Sequence, residues 1–352
     1  MQQNYDKELS PEVREKMKKN LVYIGIFSVV MIFAGLTSAY IVSMGDSFWV
    51  KYNFPPAFYI STVIIALSSV ILQVGITLAK KGNQNILKTV LPLTLLLGIG
   101  FAYFQWKGYG QLIDNGAYLS SKITVSDGRY GNYFQLKING KYMEVDGNDY
   151  LLAGKEISPA LKKEVSAFAA QFSTITKDKD ALSTIKNYGK FTLMYKNQDV
   201  TLKGKQLLVN DSTKLEFVDL TRLEEFSWHI RDGRGDFYHK GKFGKDFKVY
   251  YKGKELDYKD RNLYYNGTVL SAPLQLKMDD APDTASSYLY LITALHLLHI
   301  IGTLFYMLKM SIRSFSGNLS EYNYVSVRMG AIFWHFLGLL WGYLLLFLLF
   351  IH

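Results

Sequence analysis

Residues 288–310 read YLYLITALHLLHIIGTLFYMLKM, an apolar run whose one formal charge, Lys309, stands next to its end. A helix needs roughly 20 mostly apolar residues to cross a hydrocarbon core of about 30 Å, and this run has that length. Lipid offers no water to satisfy backbone N–H and C=O groups, so a spanning segment of this kind must be helical. Leu21 to Met44, Phe58 to Ala79, Ile86 to Trp106 and Met329 to Ile351 read the same way. None of the five contains an aspartate or glutamate, and Lys88 lies near an end, where its stem can reach the interface. The pattern predicts an all-α transmembrane bundle of five spans.

Composition alone hides this organisation. Of the 352 residues 49% are hydrophobic and 20% charged, but the apolar ones come in blocks. The chain has no cysteine, which excludes disulfides, thiolate metal sites and cysteine nucleophiles. The net charge of +10 is spent largely beside apolar segments, where cations orient a membrane protein, so it does not point to nucleic acid. Residues 1–20 are charged throughout and precede a run longer than a signal-peptide core, so the start reads as a short arm and not as a cleavable leader.

Lysine and arginine in the short loops set the orientation. The arm carries Lys7, Arg14, Lys16, Lys18 and Lys19, the second short loop Lys80, Lys81 and Lys88, and the last loop Lys309, Arg313 and Arg328. The loop after the first span offers only Lys51, and the tail after the fifth span has no cation. The expected organisation is a cytoplasmic arm over 1–20, membrane helices 1–3 over 21–110, an extracytoplasmic insertion over 115–285, and membrane helices 4–5 over 286–352 with the C-terminus outside.

The insertion is polar but rich in tyrosine, phenylalanine and valine, which argues for a folded domain. It repeats internally. Phe134-Gln135-Leu136, Phe191-Thr192-Leu193 and Phe247-Lys248-Val249 lie 57 and 56 residues apart, and each leads into a turn at Asn139-Gly140, Lys196-Asn197 or Lys252-Gly253. Asn-Gly favours a type I′ hairpin turn, which needs positive φ at both central residues; the other two have weaker turn chemistry. A further apolar pair closes each unit, at Tyr150-Leu151, Leu207-Leu208 and Leu263-Tyr264. The expectation is a soluble α+β domain of three hairpin units, at about 133–152, 191–208 and 247–264. One helix is expected over Pro159 to Ser173, with Leu161, Val165, Phe168 and Phe172 on one face. His229, His239, Asp232 and Asp236 read as isolated surface residues, too sparse for a calcium loop.

Within the spans the candidate site residues are histidines, because a polar side chain in lipid is costly. His296 and His299 are one turn apart on the fourth span and share a face, a spacing open to metal or haem ligation or to hydrogen bonding between helices. No acidic residue or third ligand accompanies them, so hydrogen bonding is the expected role, with no catalytic, cofactor or metal site in this chain. His335 lies on the fifth span. Gly35, Gly338 and Gly342 are expected at helix contacts, the last two as a small-xxx-small pair.

Leu295-His296-Leu297-Leu298-His299-Ile300-Ile301-Gly302 resembles the histidine motif of cytochrome c oxidase subunit III. Phe333-Trp334-His335-Phe336, followed by Trp341, resembles the motif of that family's final helix. Phe33-Ala34-Gly35 through Ala39-Tyr40 is similar to the start of the family's five-helix form, and Gln105 followed by Tyr109 to the end of its next-to-middle helix. The resemblance covers the five spans, about half the chain, and implies structural roles for His296, His299, Gly302, Trp334, His335 and Trp341. It implies a non-catalytic subunit of an aa3-type haem–copper oxidase in the aerobic respiratory chain, set in a bacterial inner membrane with its insertion in the periplasm. Such a subunit packs on subunit I beside subunit II, holds structural phospholipid, and supports proton-pumping oxygen reduction, with haem and copper in the partner subunits. The outer domain, absent from typical members, would then dock partner subunits, cytochrome c or a quinol:cytochrome c reductase in a supercomplex. A subunit of a quinol oxidase or nitric oxide reductase is the alternative, and a free-standing receptor ranks below both for want of a cytoplasmic output domain. Three family carboxylates fall at Val29, Arg328 and Gly338, so a protonatable role in the membrane does not carry over.

Overall fold

A computed structural model describes residues 10–81, 83–124, 133–178, 181–186, 189–315 and 321–351; Lys7 of the arm and residues 125–132 of the insertion lie outside them. The helices are α1 (Pro11–Asp46), α2 (Pro56–Lys80), α3 (Leu87–Asp114), α4 (Pro159–Ala170), α5 (Phe217–Arg231), α6 (Ala272–Asp279), α7 (Thr284–Phe315) and α8 (Glu321–Phe350). Of these, α1, α2, α3, α7 and α8 are long and apolar enough to cross a membrane. They exceed the apolar windows of the sequence because helical hydrogen bonding continues into polar flanks that hydropathy does not mark. The chain divides into two compact units, one of Met1–Ser43, Phe54–Ile113 and Ala285–His352, the other of Met44–Asn53 and Asp114–Thr284.

In the helical unit small residues and polar side chains hold the helices together, as expected where lipid is as apolar as the side chains. A methyl group at Gly98 on α3 would overlap Trp334 of α8 and Leu304 of α7, so glycine is what lets these three helices close up. On α8, Trp334 Nε1 donates to Ser68 Oγ (3.1 Å), Trp341 Nε1 to Thr62 Oγ1 (2.8 Å), and Tyr343 Oη to Thr37 Oγ1 (3.1 Å). α8 is thereby tied to α1 and α2. Thr37, Ser61, Ser68, Thr94 and Thr293 also donate to carbonyls three or four residues back, which satisfies them without water. Leu96, Val42 and Leu339 remain exposed, a surface suited to lipid.

The second unit is rich in β-structure. Its largest sheet runs β5-β4-β3-β2-β6-β7-β8-β9, with β2 (Phe134–Ile138), β3 (Lys141–Asp146), β4 (Asp149–Leu152) and β5 (Lys155–Glu156) mirrored by β6 (Phe191–Tyr195), β7 (Gln198–Lys203), β8 (Gln206–Val209) and β9 (Thr213–Lys214). The first strands of the two repeats pair antiparallel, Phe134 to Tyr195 and Ile138 to Phe191. α4 and α5 follow β5 and β9, and Val165, Phe168, Leu223 and Ile230 join Leu136, Ile138 and Leu193 in one core. In all three repeats the first turn has positive φ at both central residues: 49° and 76° at Asn139-Gly140, 48° and 65° at Lys196-Asn197, and 49° and 75° at Lys252-Gly253. The helix expected to Ser173 ends at Ala170, and α5 and α6 close the second and third repeats as α4 closes the first.

The third repeat comprises β10 (Phe247–Tyr251), β11 (Lys254–Glu255), β12 (Asp257–Lys259), β13 (Asn262–Tyr265) and β14 (Thr268–Val269). Its first strand pairs with β1 (Phe48–Tyr52), which lies between α1 and α2. Residues 44–53 thus belong to the β-rich unit although the sequence reads them as a loop between spans. The register, Phe48 to Tyr251 and Tyr52 to Phe247, joins first residue to fifth as in the β2–β6 pair. The four strands read FWVKY, FQLKI, FTLMY and FKVYY, each with phenylalanine first and valine or leucine third. β1 is a fourth copy of the strand, without the hairpin that follows the others.

Candidate functional site

The motif residues of α7 and α8 meet inside the helical unit. His296 is fully buried, and its Nε2 donates to Leu337 O at 3.0 Å, a role fixed by the carbonyl, which only accepts. Its ring lies 5.4 Å from Trp341, 5.9 Å from Phe101 and 6.5 Å from Phe33 (centroid distances). Trp341 packs edge-on against Phe58 and Phe101 as well. Beside this cage Gln105 Nε2 donates to Ser61 Oγ at 2.9 Å.

His299, though one turn away, does something else. Its Nδ1 donates to Leu295 O of its own helix at 2.7 Å, and Thr303 Oγ1 donates to His299 O. The two histidines therefore do not converge on one point, and among the described residues no group of three His, Cys, Asp or Glu could hold a metal. A Cβ at Gly302 would meet nothing within 4 Å, and the residue lines a groove of about 510 Å³ with His299, Thr303, Tyr306 and Phe333. His335 contacts α2 through Ser69 (2.5 Å) and Gln73 (3.1 Å). A Cβ at Gly35 or Gly342 would meet nothing within 4 Å, and one at Gly338 only Ile65, at 3.7 Å.

The β-rich unit has a polar centre of its own. Asn148 Oδ1 accepts from Gly235 N at 2.7 Å, and its Nδ2 donates to His239 O. Asp236, 1% exposed, accepts from Gly147 N (3.2 Å), from the Tyr258 hydroxyl and from Arg261 Nη2. Burial, and then the Asp236 charge, push the Tyr258 phenol well above its ordinary range, so it stays a donor. His239 and Asp283 are both fully buried. His239 Nδ1 faces Gly116 O (3.3 Å) and the Tyr52 hydroxyl, which donates to Asp283 Oδ2 at 3.1 Å. Nδ1 therefore carries the hydrogen, and Nε2 stands bare 3.9 Å from Asp283. Burial holds the imidazole below its ordinary pKa against the pull of Asp283.

His239 and Asp236 are thus not surface residues as their sequence isolation suggests; the folded chain surrounds them with backbone groups from distant segments. His229 is also shielded, with Tyr238 edge-on at 4.5 Å, and burial lowers its pKa to about 3. Asp232 is partly exposed and pairs with Arg231 and Arg234. Asn148, Tyr52 and Asp283 are polar groups that span hydropathy and motif spacing do not flag. The repeat held a clue to one of them, since Asn148 aligns with Lys205 and Arg261 and lacks their charge. No family model, no curated protein and no solved structure matches the chain.

Proposed function

We propose that this chain is a non-catalytic, subunit III-like component of a haem–copper terminal oxidase of the aa3 type. The observation that carries the reading is that the two motifs interlock: His296 of one hydrogen-bonds Leu337 and stacks near Trp341 of the other. Residues so placed hold helices in register, which is a scaffolding role. No haem or copper is assigned to this chain; subunits I and II would carry them. The apolar groove beside Gly302 has room for a phospholipid acyl chain. On this reading the chain belongs to a bacterial inner membrane, and the cation bias of its loops supports an orientation with the arm cytoplasmic and the β-rich unit periplasmic, where that unit would meet partner subunits or an electron donor. Affinity purification of the chain in mild detergent, with haem spectra and mass spectrometry of the co-purifying chains, tests this. The reading expects a-type haem and oxidase subunits I and II; their absence from a complex that still holds this chain would sink it.

A further inference from the structure

Three segments of the β-rich unit that adjoin long helices in the chain meet on one histidine of a fourth, His239. Tyr52 stands four residues before α2, Gly116 two residues after α3, and Asp283 one residue before α7. His239 and Asp283 are fully buried. The His239 Nδ1–H points at Gly116 O at 3.3 Å, beside the Tyr52 hydroxyl, which donates to Asp283 Oδ2 at 3.1 Å. Lys240 N adds a bond to Asn115 O at 2.9 Å, and a Cβ at Gly116 would come within 2.7 Å of His239 Cα. The imidazole also packs on Phe247, which pairs with Tyr52 at one end of the β1–β10 ladder. All of these residues belong to the β-rich unit.

The contacts of this ring suit its neutral form. Nε2 has no hydrogen-bond partner among the described residues, and the Asp283 carboxylate lies 3.9 Å off, too far for a hydrogen bond. A second proton on the ring would therefore put a cation in a site closed to water. Asp283 attracts that proton, Arg234 repels it, Tyr52 already donates to Asp283, and Phe247 of β10 offers only an apolar ring. Burial outweighs the carboxylate and holds the imidazole below its ordinary pKa. We propose that His239 is a proton-operated latch: neutral, it fastens the segments at Tyr52, Gly116 and Asp283 to one another; protonated, it lets them part and frees the Tyr52–Phe247 end of the β1–β10 ladder. The open form hydrates the ring and takes the proton readily, so acid draws the closed form open by linkage. The device needs no oxidase partner and does not depend on that reading.

Amide hydrogen exchange of the full chain in detergent, at pH 7.5 and 5.5 and corrected for the intrinsic rate at each pH, tests this. A ring that protonates at about 6.5 only when released allows up to about tenfold more opening at pH 5.5. The expected result is that rise over residues 48–53, 114–117 and 239–251, with β2 and β6 as protected as before. His239→Asn keeps an N–H near the Nδ1 position and cannot take the proton, so its exchange over these segments should not change with pH. Where that variant does not fold, exchange of the histidine C2–H in the parent chain, read by mass spectrometry, should show His239 titrating over the same pH window as the opening. Equal protection at both pH values, tighter segments in acid, or loosening of β2 and β6 along with β1 overturns the proposal. So does a His239→Asn chain that still opens in acid, or a His239 C2–H exchange that does not follow the opening.

Discussion

At the scale of single residues, the β-rich unit depends on polar groups that have no water to fall back on. Asp236 gathers a backbone amide, a phenol and a guanidinium, and Arg261 is 14% exposed. Removing one partner of a buried pair leaves the other charge uncompensated, at a cost of about 3–5 kcal/mol. Asp236→Ala should therefore lower the denaturant midpoint of this unit by that equivalent, followed by loss of its β-sheet ellipticity. Acid should act on the same unit. His239 and His229 have folded pKa values below the ordinary 6.5, in both cases chiefly through burial. The unfolded chain takes up their protons first as pH falls, so stability is whole above pH 6.5 and is lost from there toward about 3 for His229. Each fully depressed imidazole contributes a slope of up to about 1.4 kcal/mol per pH unit in that window. Denaturant titrations at pH 7.5 and 5.5 should show the fall, and His229→Gln should reduce it. These residues were not legible as buried, because isolation in sequence says nothing about which distant backbone surrounds a side chain.

At the scale of elements, the legible features were those written in local chemistry. Apolar length marks the five long helices, and Asn139-Gly140 marks a type I′ hairpin. Lys196-Asn197 adopts the same left-handed backbone with poorer residues, since the strands on either side hold it there. Helix contacts were less legible. Gly98 receives Trp334 and Leu304, although nothing in the sequence distinguishes it from Gly35, which faces open space. Gly98→Leu should force α3 away from α7 and α8 at a cost of about 1–3 kcal/mol, seen as a lower thermal midpoint of the detergent-solubilised chain. Gly35→Leu should leave that midpoint nearly unchanged.

At the scale of the whole molecule, the two units divide along chemical lines but not along one cut in the chain. Hydropathy separates spans from insertion, yet FWVKY between α1 and α2 reads as a loop because it is short and its partner strand lies far away in sequence. Only comparison of the four strands shows Phe48 and Val50 as counterparts of Phe134 and Leu136. Replacing residues 48–52 by a glycine–serine linker should therefore unravel the third repeat, measured as rapid amide exchange over β10 and β11 with β2 and β6 still protected. Residues 115–285 expressed alone should show the same exchange pattern for the same reason.

β1 also sets a clock on synthesis. It leaves the ribosome first of the four copies, and β10 follows only after the chain from Tyr52 to Phe247 has been made. At about 5–20 residues per second this wait is roughly 10–40 s, far longer than the microseconds in which a hairpin forms. During that time Phe48, Trp49 and Val50, destined for complete burial, lack their strand partner. The first two repeats can fold meanwhile, so the final closure of this unit is a late, long-range event that follows their assembly, and a chaperone that shields nascent apolar strands would act on β1 before any other part of it.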